Sequence, residues 1–266
     1  MNRFGRYSLF IALFGLLLAG CDSTSTNEPE ATPPRVLPAE AFSLQTNLFN
    51  QNDAGKTSAG ANFTAAALRV WPVSVIISAN LIIPVAVTAA ALQADPIQSG
   101  NTWIWNSTVV SDGHEVAFTL EGTVNGSSIN WSMRVSYTDG QATFDDFELY
   151  TAVTDFESQT GTWQLFYEID GQSRNVLNAD FAVPDETHAS IVYSIPNTAD
   201  RNAGDSVSYE VDGHERIFDW HQVKEALNHL VTWDAATQHG SITATNYNNG
   251  DKACWDEDLE NAACAN

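Results

Sequence analysis

The densest group of ionisable side chains lies in the last quarter of the chain, where two histidines and a glutamate recur at four-residue intervals. They are His221, Glu225 and His229. Two imidazoles and a carboxylate can bind zinc, and a zinc ion with an open fourth position can activate water for hydrolysis. The composition of residues 221–229 predicts a short helix, which would place the three side chains along one face. A metal-dependent hydrolase is therefore one function to consider.

The spacing of these residues argues against that function. A helix rises about 12 Å from residue i to residue i+8, so at most one pair of the three could hold the same ion. The sequence contains no His-Glu-x-x-His motif, no Gly-x-Ser-x-Gly motif and no glycine-rich nucleotide loop. We predict a solvated helix face with no metal site, no catalytic residues and no cofactor, and the sequence favours a protein that is not an enzyme.

The N-terminus carries an export signal. Arg3 and Arg6 precede an apolar run at residues 9–19. A basic start, a short apolar stretch and small residues before a cleavage point are typical of a secretory signal peptide. The run of about eleven residues is too short to cross a bilayer as a helix.

The end of this signal adds a cysteine after two small residues. The motif Leu18-Ala19-Gly20-Cys21 resembles the lipobox of bacterial lipoproteins, and the resemblance covers the first 21 residues. It implies that residues 1–20 are removed, that the Cys21 sulfur receives diacylglycerol and that the new amine is acylated. Two or more acyl chains hold a protein firmly on a membrane. We therefore expect a protein of the cell envelope, anchored by lipid on the periplasmic face or the cell surface; an ordinary signal peptide with a chance cysteine is the alternative.

The chain has three cysteines, and lipidation would consume Cys21. After export to an oxidising compartment, Cys254 and Cys264 are then expected to form a disulfide. They enclose an acidic segment, residues 256–260, whose carboxylates could bind calcium. The segment lacks the central glycine of the EF-hand pattern, so we predict no calcium site there.

Composition limits the partners of the protein. The 266 residues include 33 acidic and 11 basic side chains, which gives a net charge of −22. Like charges repel, so nucleic acid is excluded as a partner. Hydrophobic residues make up 44% of the chain, which is ample for a core. Residues 21–38 are rich in Ser, Thr, Glu and Pro and predict a flexible tether, and residues 39–266 predict a single β-rich domain.

One long segment of this domain carries no charge. It runs from 70 to 94, within an apolar helical segment at 63–94, and contains Pro72 and Pro84. Proline disfavours helix in the residue before it but is accepted in a first turn, so two helical pieces at 73–83 and 85–94 are expected. Because they are apolar all round, we predict a helical hairpin or kinked helix buried on every side. A second membrane anchor or a strand are the alternatives.

Residues 102–247 change to a period of two. Apolar and polar residues alternate in run after run, and Asp-Gly or Asn-Gly turns separate many of the runs. This pattern is typical of hairpins in an antiparallel meander with one apolar face. We expect about ten or eleven strands, with a bulge at Asp145–Asp146. The predicted strands are 103–110, 114–124, 128–137, 142–151, 161–169, 174–183, 188–195, 206–211, 215–220, 230–235 and 239–247. Residues 248–266 are expected to form a tail that contains the disulfide.

A sheet of this length hides its apolar face and its edges by curling. The sequence therefore predicts a mainly β fold, with the meander curled into an open or partly closed barrel around the helical segment. This architecture loosely resembles the carrier and receptor proteins that move lipoproteins between bacterial membranes, which hold acyl chains in a half-open barrel. The likeness covers about residues 63–247 and rests on no shared motif, so it transfers no functional residues.

The favoured function is a non-catalytic binding or carrier module for an apolar ligand such as a lipid. Inward-facing strand residues would line its site; they are Trp131, Met133, Val135, Trp163, Leu165 and Tyr167. The alternative is a structural or interaction lipoprotein whose interior is filled by the helical segment. An apolar pocket of about 300 Å³ or more would favour the carrier.

The anchor gives a direct prediction. Replacing Cys21 with Ser removes the acceptor thiol, so the variant should incorporate no labelled palmitate and should leave the membrane fraction of the bacterial host. Cys254→Ser removes a cysteine of the chain and should keep both the label and the membrane location. Palmitate on the Cys21→Ser variant would contradict the assignment of the anchor.

Overall fold

A computed structural model describes residues 32–35, 44–50, 59–111, 113–138, 143–185, 187–196 and 201–264. Those from Pro33 onward belong to one compact unit. The predicted signal peptide, Cys21 and most of the predicted tether lie outside the described residues.

The described residues form one antiparallel sheet of fourteen strands, in which each strand pairs with the next one along the chain. The predicted fold class and the meander are confirmed. The strands are β1 (Ile97–Ser99), β2 (Thr102–Ser111), β3 (His114–Asn125), β4 (Ser128–Thr138), β5 (Thr143–Asp155), β6 (Thr160–Ile169), β7 (Gln172–Ala182), β8 (His188–Ser194), β9 (Ser206–Asp212), β10 (Glu215–Gln222), β11 (Leu227–Asp234), β12 (Gly240–Ala244), β13 (Ala253–Trp255) and β14 (Asn261–Ala262).

The sheet is longer than predicted at both ends. Strand β1 precedes the predicted meander, and the tail contributes β13 and β14. The expected bulge at Asp145–Asp146 is present as a register shift between Val135 and Tyr137. Asp146 adopts a φ of 51°, and its carboxylate accepts a hydrogen bond from Arg134 Nε at 2.8 Å. The bulge bends the strand and increases its local twist, which helps the sheet to curl.

The predicted helix at 221–229 is wrong. Strands β10 and β11 pair through Gln222 and Leu227, and a four-residue turn at 223–226 joins them. Ala226 takes a φ of 52° in this turn. Helix-forming residues in the turn misled the prediction, because the alternating apolar residues on either side pair as strands and override local propensity.

The uncharged segment forms one helix, α1 (Ala61–Ala91), which continues through Pro72 and Pro84. The prediction of two pieces or a hairpin is wrong. Each proline removes one backbone hydrogen bond, and both prolines are only half-buried. By length and composition α1 could cross a membrane, but core helices pass the same test.

The expectation that this segment is buried on every side is also wrong. Val70 and Val87 are fully buried against the sheet, whereas Leu68 is 58% and Ile76 is 62% exposed. The helix therefore has one apolar face inside the fold and another apolar face towards solvent.

The sheet curls so that strands near both of its ends contact α1, which touches β2 as well as β11 to β14. At the start of the helix, Gly60 N–H donates to Leu259 O at 2.9 Å and Asn62 Nδ2 donates to Cys254 O at 2.7 Å. Further along, the hydroxyl groups of Thr88 and Tyr150 lie near each other. Among the described strands no pairing joins β1 to β14, so the sheet is curled but open.

The predicted disulfide between Cys254 and Cys264 is confirmed. It closes the short loop that holds β13 against β14, and this loop carries the carbonyl groups that contact the start of α1. Phe63 of α1 packs edge-on against Trp255 of β13, with their ring centroids 5.7 Å apart. The disulfide thus stabilises the attachment of the helix to the last strands.

Replacing both cysteines of this bridge with Ala should lower the free energy of unfolding by about 2–3 kcal/mol, because the unfolded chain regains the entropy of a loop of this size. Urea unfolding followed by tryptophan fluorescence measures the change, with Cys21→Ser in all proteins. The parent protein in reducing agent is the control and should show the same loss. Equal stability of the oxidised parent and the double variant would contradict the structural role.

Candidate functional site

A cavity of about 380 Å³ lies between α1 and the concave face of the sheet. Its lining is mainly apolar and includes Val73 and Ile77 of α1, Leu177 of β7, Val207 of β9 and Trp220 of β10. The volume lies near the lower end of the range for small-molecule pockets, about 300–1,000 Å³. The arrangement can hold an apolar molecule.

The topology explains why these residues meet. In an antiparallel meander the end of each strand lies beside the start of the next strand. One edge of the sheet therefore contains the end of β6, the start of β7, the end of β8, the start of β9 and the end of β10. A register shift between Leu165 and Phe166 places an extra residue, Val176, in β7 near this edge. Val176 also lines the cavity.

Of the six residues that the sequence suggested as lining, the structure places Tyr167 at the cavity. Trp131, Met133, Val135, Trp163 and Leu165 are buried in the core instead. Trp163 and Leu165 precede Tyr167 in β6, and the other three lie on β4, which contributes no residue to the cavity lining. Trp131, for example, donates from its indole nitrogen to Thr154 Oγ1 at 2.9 Å, which fixes its ring within the sheet.

Sequence reasoning missed the helix residues and strand ends that do line the cavity. The alternation of apolar and polar residues along β9 and β10 already indicates that Val207 and Trp220 face inward. In the structure these two residues form a cross-strand pair. No pattern in the sequence indicates where the helix lies close to the sheet and where it leaves space.

The histidines that suggested a zinc site are held apart. His229 of β11 pairs with Trp220, and His221 pairs with Asn228. Because successive side chains in a strand point to opposite faces, His221 and His229 lie on opposite faces of the sheet. Glu225 lies exposed in the turn. In the part of the chain that the structure describes, no three His, Cys, Asp or Glu residues are grouped closely enough to hold a metal ion.

His229 is 2% exposed and belongs to a polar cluster beneath α1. Arg69 Nε donates to its Nδ1 at 3.1 Å, so the imidazole proton lies on Nε2, which faces Gln222 Oε1 at 3.1 Å. Arg69 also donates to Asn246 Oδ1 at 2.8 Å and stacks on the ring of Tyr247 at 5.6 Å. Arg69 is the one charged residue in the sequence of α1, and this cluster satisfies its charge.

Burial, reinforced by the positive charge of Arg69, lowers the pKa of His229 to about 4. The imidazole is therefore neutral at neutral pH, which its acceptance of the arginine hydrogen bond requires. Burial also raises the pKa of Tyr167, so its phenol stays protonated in the cavity.

The polar cluster reaches the cavity through Gln222, which lines it. Two further polar side chains of the lining matter for chemistry. Asp205 is 6% exposed, and its Oδ1 accepts a hydrogen bond from Val223 N–H at 2.9 Å. Asn80 of α1 donates from Nδ2 to Ile76 O at 2.7 Å, which leaves its amide oxygen as the acceptor.

The neutral state of His229 makes stability depend on pH. In the unfolded chain the imidazole of His229 binds a proton below about pH 6.5. In the folded protein the same imidazole stays neutral down to about pH 4. Within that window the free energy of unfolding should fall by up to about 1.4 kcal/mol per pH unit on this account. Urea unfolding at pH 7.5, 6 and 5 measures it.

His229→Gln should remove this part of the pH dependence, whereas His221→Gln, a change at an exposed position, should keep it. Carboxylates that titrate in the same range contribute equally to all three proteins. Parallel profiles for the parent and His229→Gln would contradict the assignment.

No family model, no curated protein and no solved structure matches the chain. The functional argument therefore depends on the geometry of the cavity and on the residues that line it.

Proposed function

We propose that the protein is an exported, lipid-anchored module of the cell envelope that binds or carries an apolar molecule between α1 and its curled sheet. The cavity is the observation that carries the proposal. At about 30 Å³ for each water-sized group, its 380 Å³ corresponds to roughly a dozen non-hydrogen atoms. This is the size of one medium-length hydrocarbon chain.

The position of the cavity supports binding from outside. Ile76 lines it and is also 62% exposed, so the cavity reaches the surface beside α1. A ligand can enter there without separation of the strands. The lipobox at Cys21 supports a location at a membrane, where apolar molecules are abundant.

The interaction lipoprotein is the second candidate, and one observation favours it. Leu68, Val75 and Ile82 are large apolar residues of α1 that remain exposed. Their seven-residue spacing places them on one side of the helix, as in helices that associate with a partner. Binding of a ligand in the cavity and association through this face can be separated by experiment.

Filling the cavity should abolish ligand binding. In the mature chain (residues 21–266) with Cys21→Ser, washed free of co-purifying lipid by refolding, Val207→Phe should weaken binding of the neutral probe dodecanol, measured by isothermal titration, at least about tenfold, a loss of about 1.4 kcal/mol. Val207 lies at the cavity and is buried, so a larger side chain occupies the ligand volume.

Val192→Phe is the matched control, because Val192 lies on the neighbouring strand and is 39% exposed. It should bind the probe as the parent does, and thermal unfolding should confirm that both variants fold. Absence of probe binding by the parent, or equal binding by both variants, would reject the carrier and leave the interaction lipoprotein.

A further inference from the structure

Asp205 is the charged residue of the cavity lining. Among the described residues that line the cavity there is no Lys, Arg or His, and the ion pairs of the described residues do not include Asp205. The basic residues closest to it and to Val223 in the chain, Arg201 and Lys224, are exposed. Within the described part of the chain, the cavity lining thus contains a buried carboxylate, Asp205, and no cationic side chain.

A buried carboxylate is costly unless hydrogen bonds or an opposite charge compensate it. Val223 N–H supplies one donor to Asp205, but a carboxylate has two oxygens and accepts several hydrogen bonds. Asn80 adds an acceptor to the same lining. The polar groups of the lining thus favour a ligand group that donates hydrogen bonds and carries positive charge.

The same charges disfavour the opposite kind of ligand. A carboxylate or phosphate head group would lie against Asp205 in a protein whose net charge is −22. Like charges in a partly dehydrated site repel strongly. A fatty acid or a phosphate-bearing lipid head group therefore fits the cavity poorly.

We propose, building on the proposed binding of an apolar molecule, that the ligand is a single-chain amphiphile with a protonated amine as its head group. The chain contacts Val73, Ile77 and Leu177, and the ammonium donates to the carboxylate of Asp205. No bond is formed or broken.

Three probes with the same twelve-carbon chain test the head group. They are dodecylamine, dodecanol and dodecanoate. Isothermal titration of the mature chain with Cys21→Ser, at physiological salt and below the micelle concentration of each probe, gives the affinities. Dodecylamine should bind at least about tenfold more tightly than dodecanol, the gain of a hydrogen bond between charged groups. Dodecanoate should bind more weakly than dodecanol.

Asp205→Asn removes the charge and keeps an oxygen that can accept from Val223 N–H. It should reduce dodecylamine binding about tenfold and leave dodecanol binding unchanged. Asp219→Asn removes the same charge at an exposed position of β10 and should change neither affinity. This control separates contact with Asp205 from general attraction of a cation to an acidic protein.

The outcomes distinguish the two proposals. If the three probes bind equally, or if Asp205→Asn and Asp219→Asn weaken dodecylamine binding equally, the amine specificity is overturned and the apolar carrier stands. If none of the probes binds, the carrier itself is rejected. Should Asp205→Asn fail to fold, the order of the three affinities in the parent still decides, because it needs no variant.

Discussion

The apolar face of the meander must be covered, and the rest of the structure depends on the helix that covers it. Fourteen consecutive strands present their inward side chains to one concave surface, which no second sheet closes among the described residues. Helix α1 fills this space and contacts strands near both ends of the sheet. The curl, the open edge and the cavity all follow from this packing.

The attachment of α1 is apolar over most of its length but polar at a few defined points. Arg69 interrupts the apolar segment and would be costly to bury alone. Its partner is a neutral imidazole, His229, and not a carboxylate, so the helix is held by hydrogen bonds in a region that carries one positive charge. His229 in turn faces Gln222, whose side chain lines the cavity. The interaction that positions the helix therefore also orients one polar group of the candidate site.

The sequence predicted the strands well because their signal is local. Apolar and polar residues alternate along β3, β4 and β6, and Asn-Gly or Asp-Gly turns lie between strands. This pattern involves only the residues of one hairpin and does not depend on distant residues. The errors arose where distant contacts decide. Lys224, Glu225 and Ala226 favour helix locally but lie in a turn between paired strands, and Pro72 and Pro84 lie within one helix. The cavity depends on the curvature of the whole sheet, so the alternating pattern identified inward residues but could not show which of them border empty space.

The two apolar faces of α1 have different roles, and this difference explains an unusual segment of sequence. A helix that only filled the interior would carry polar residues on its outer side, yet Leu68, Val75 and Ile82 are apolar and exposed. The next two residues after Val75, Ile76 and Ile77, border the cavity. The cavity thus lies on one side of the helix, and the exposed apolar face lies on the other side. If Cys21 anchors the protein to a membrane, as we propose, such a helix would place the entrance of the cavity beside a surface that favours contact with lipid or with another protein, where an apolar ligand would be collected or delivered.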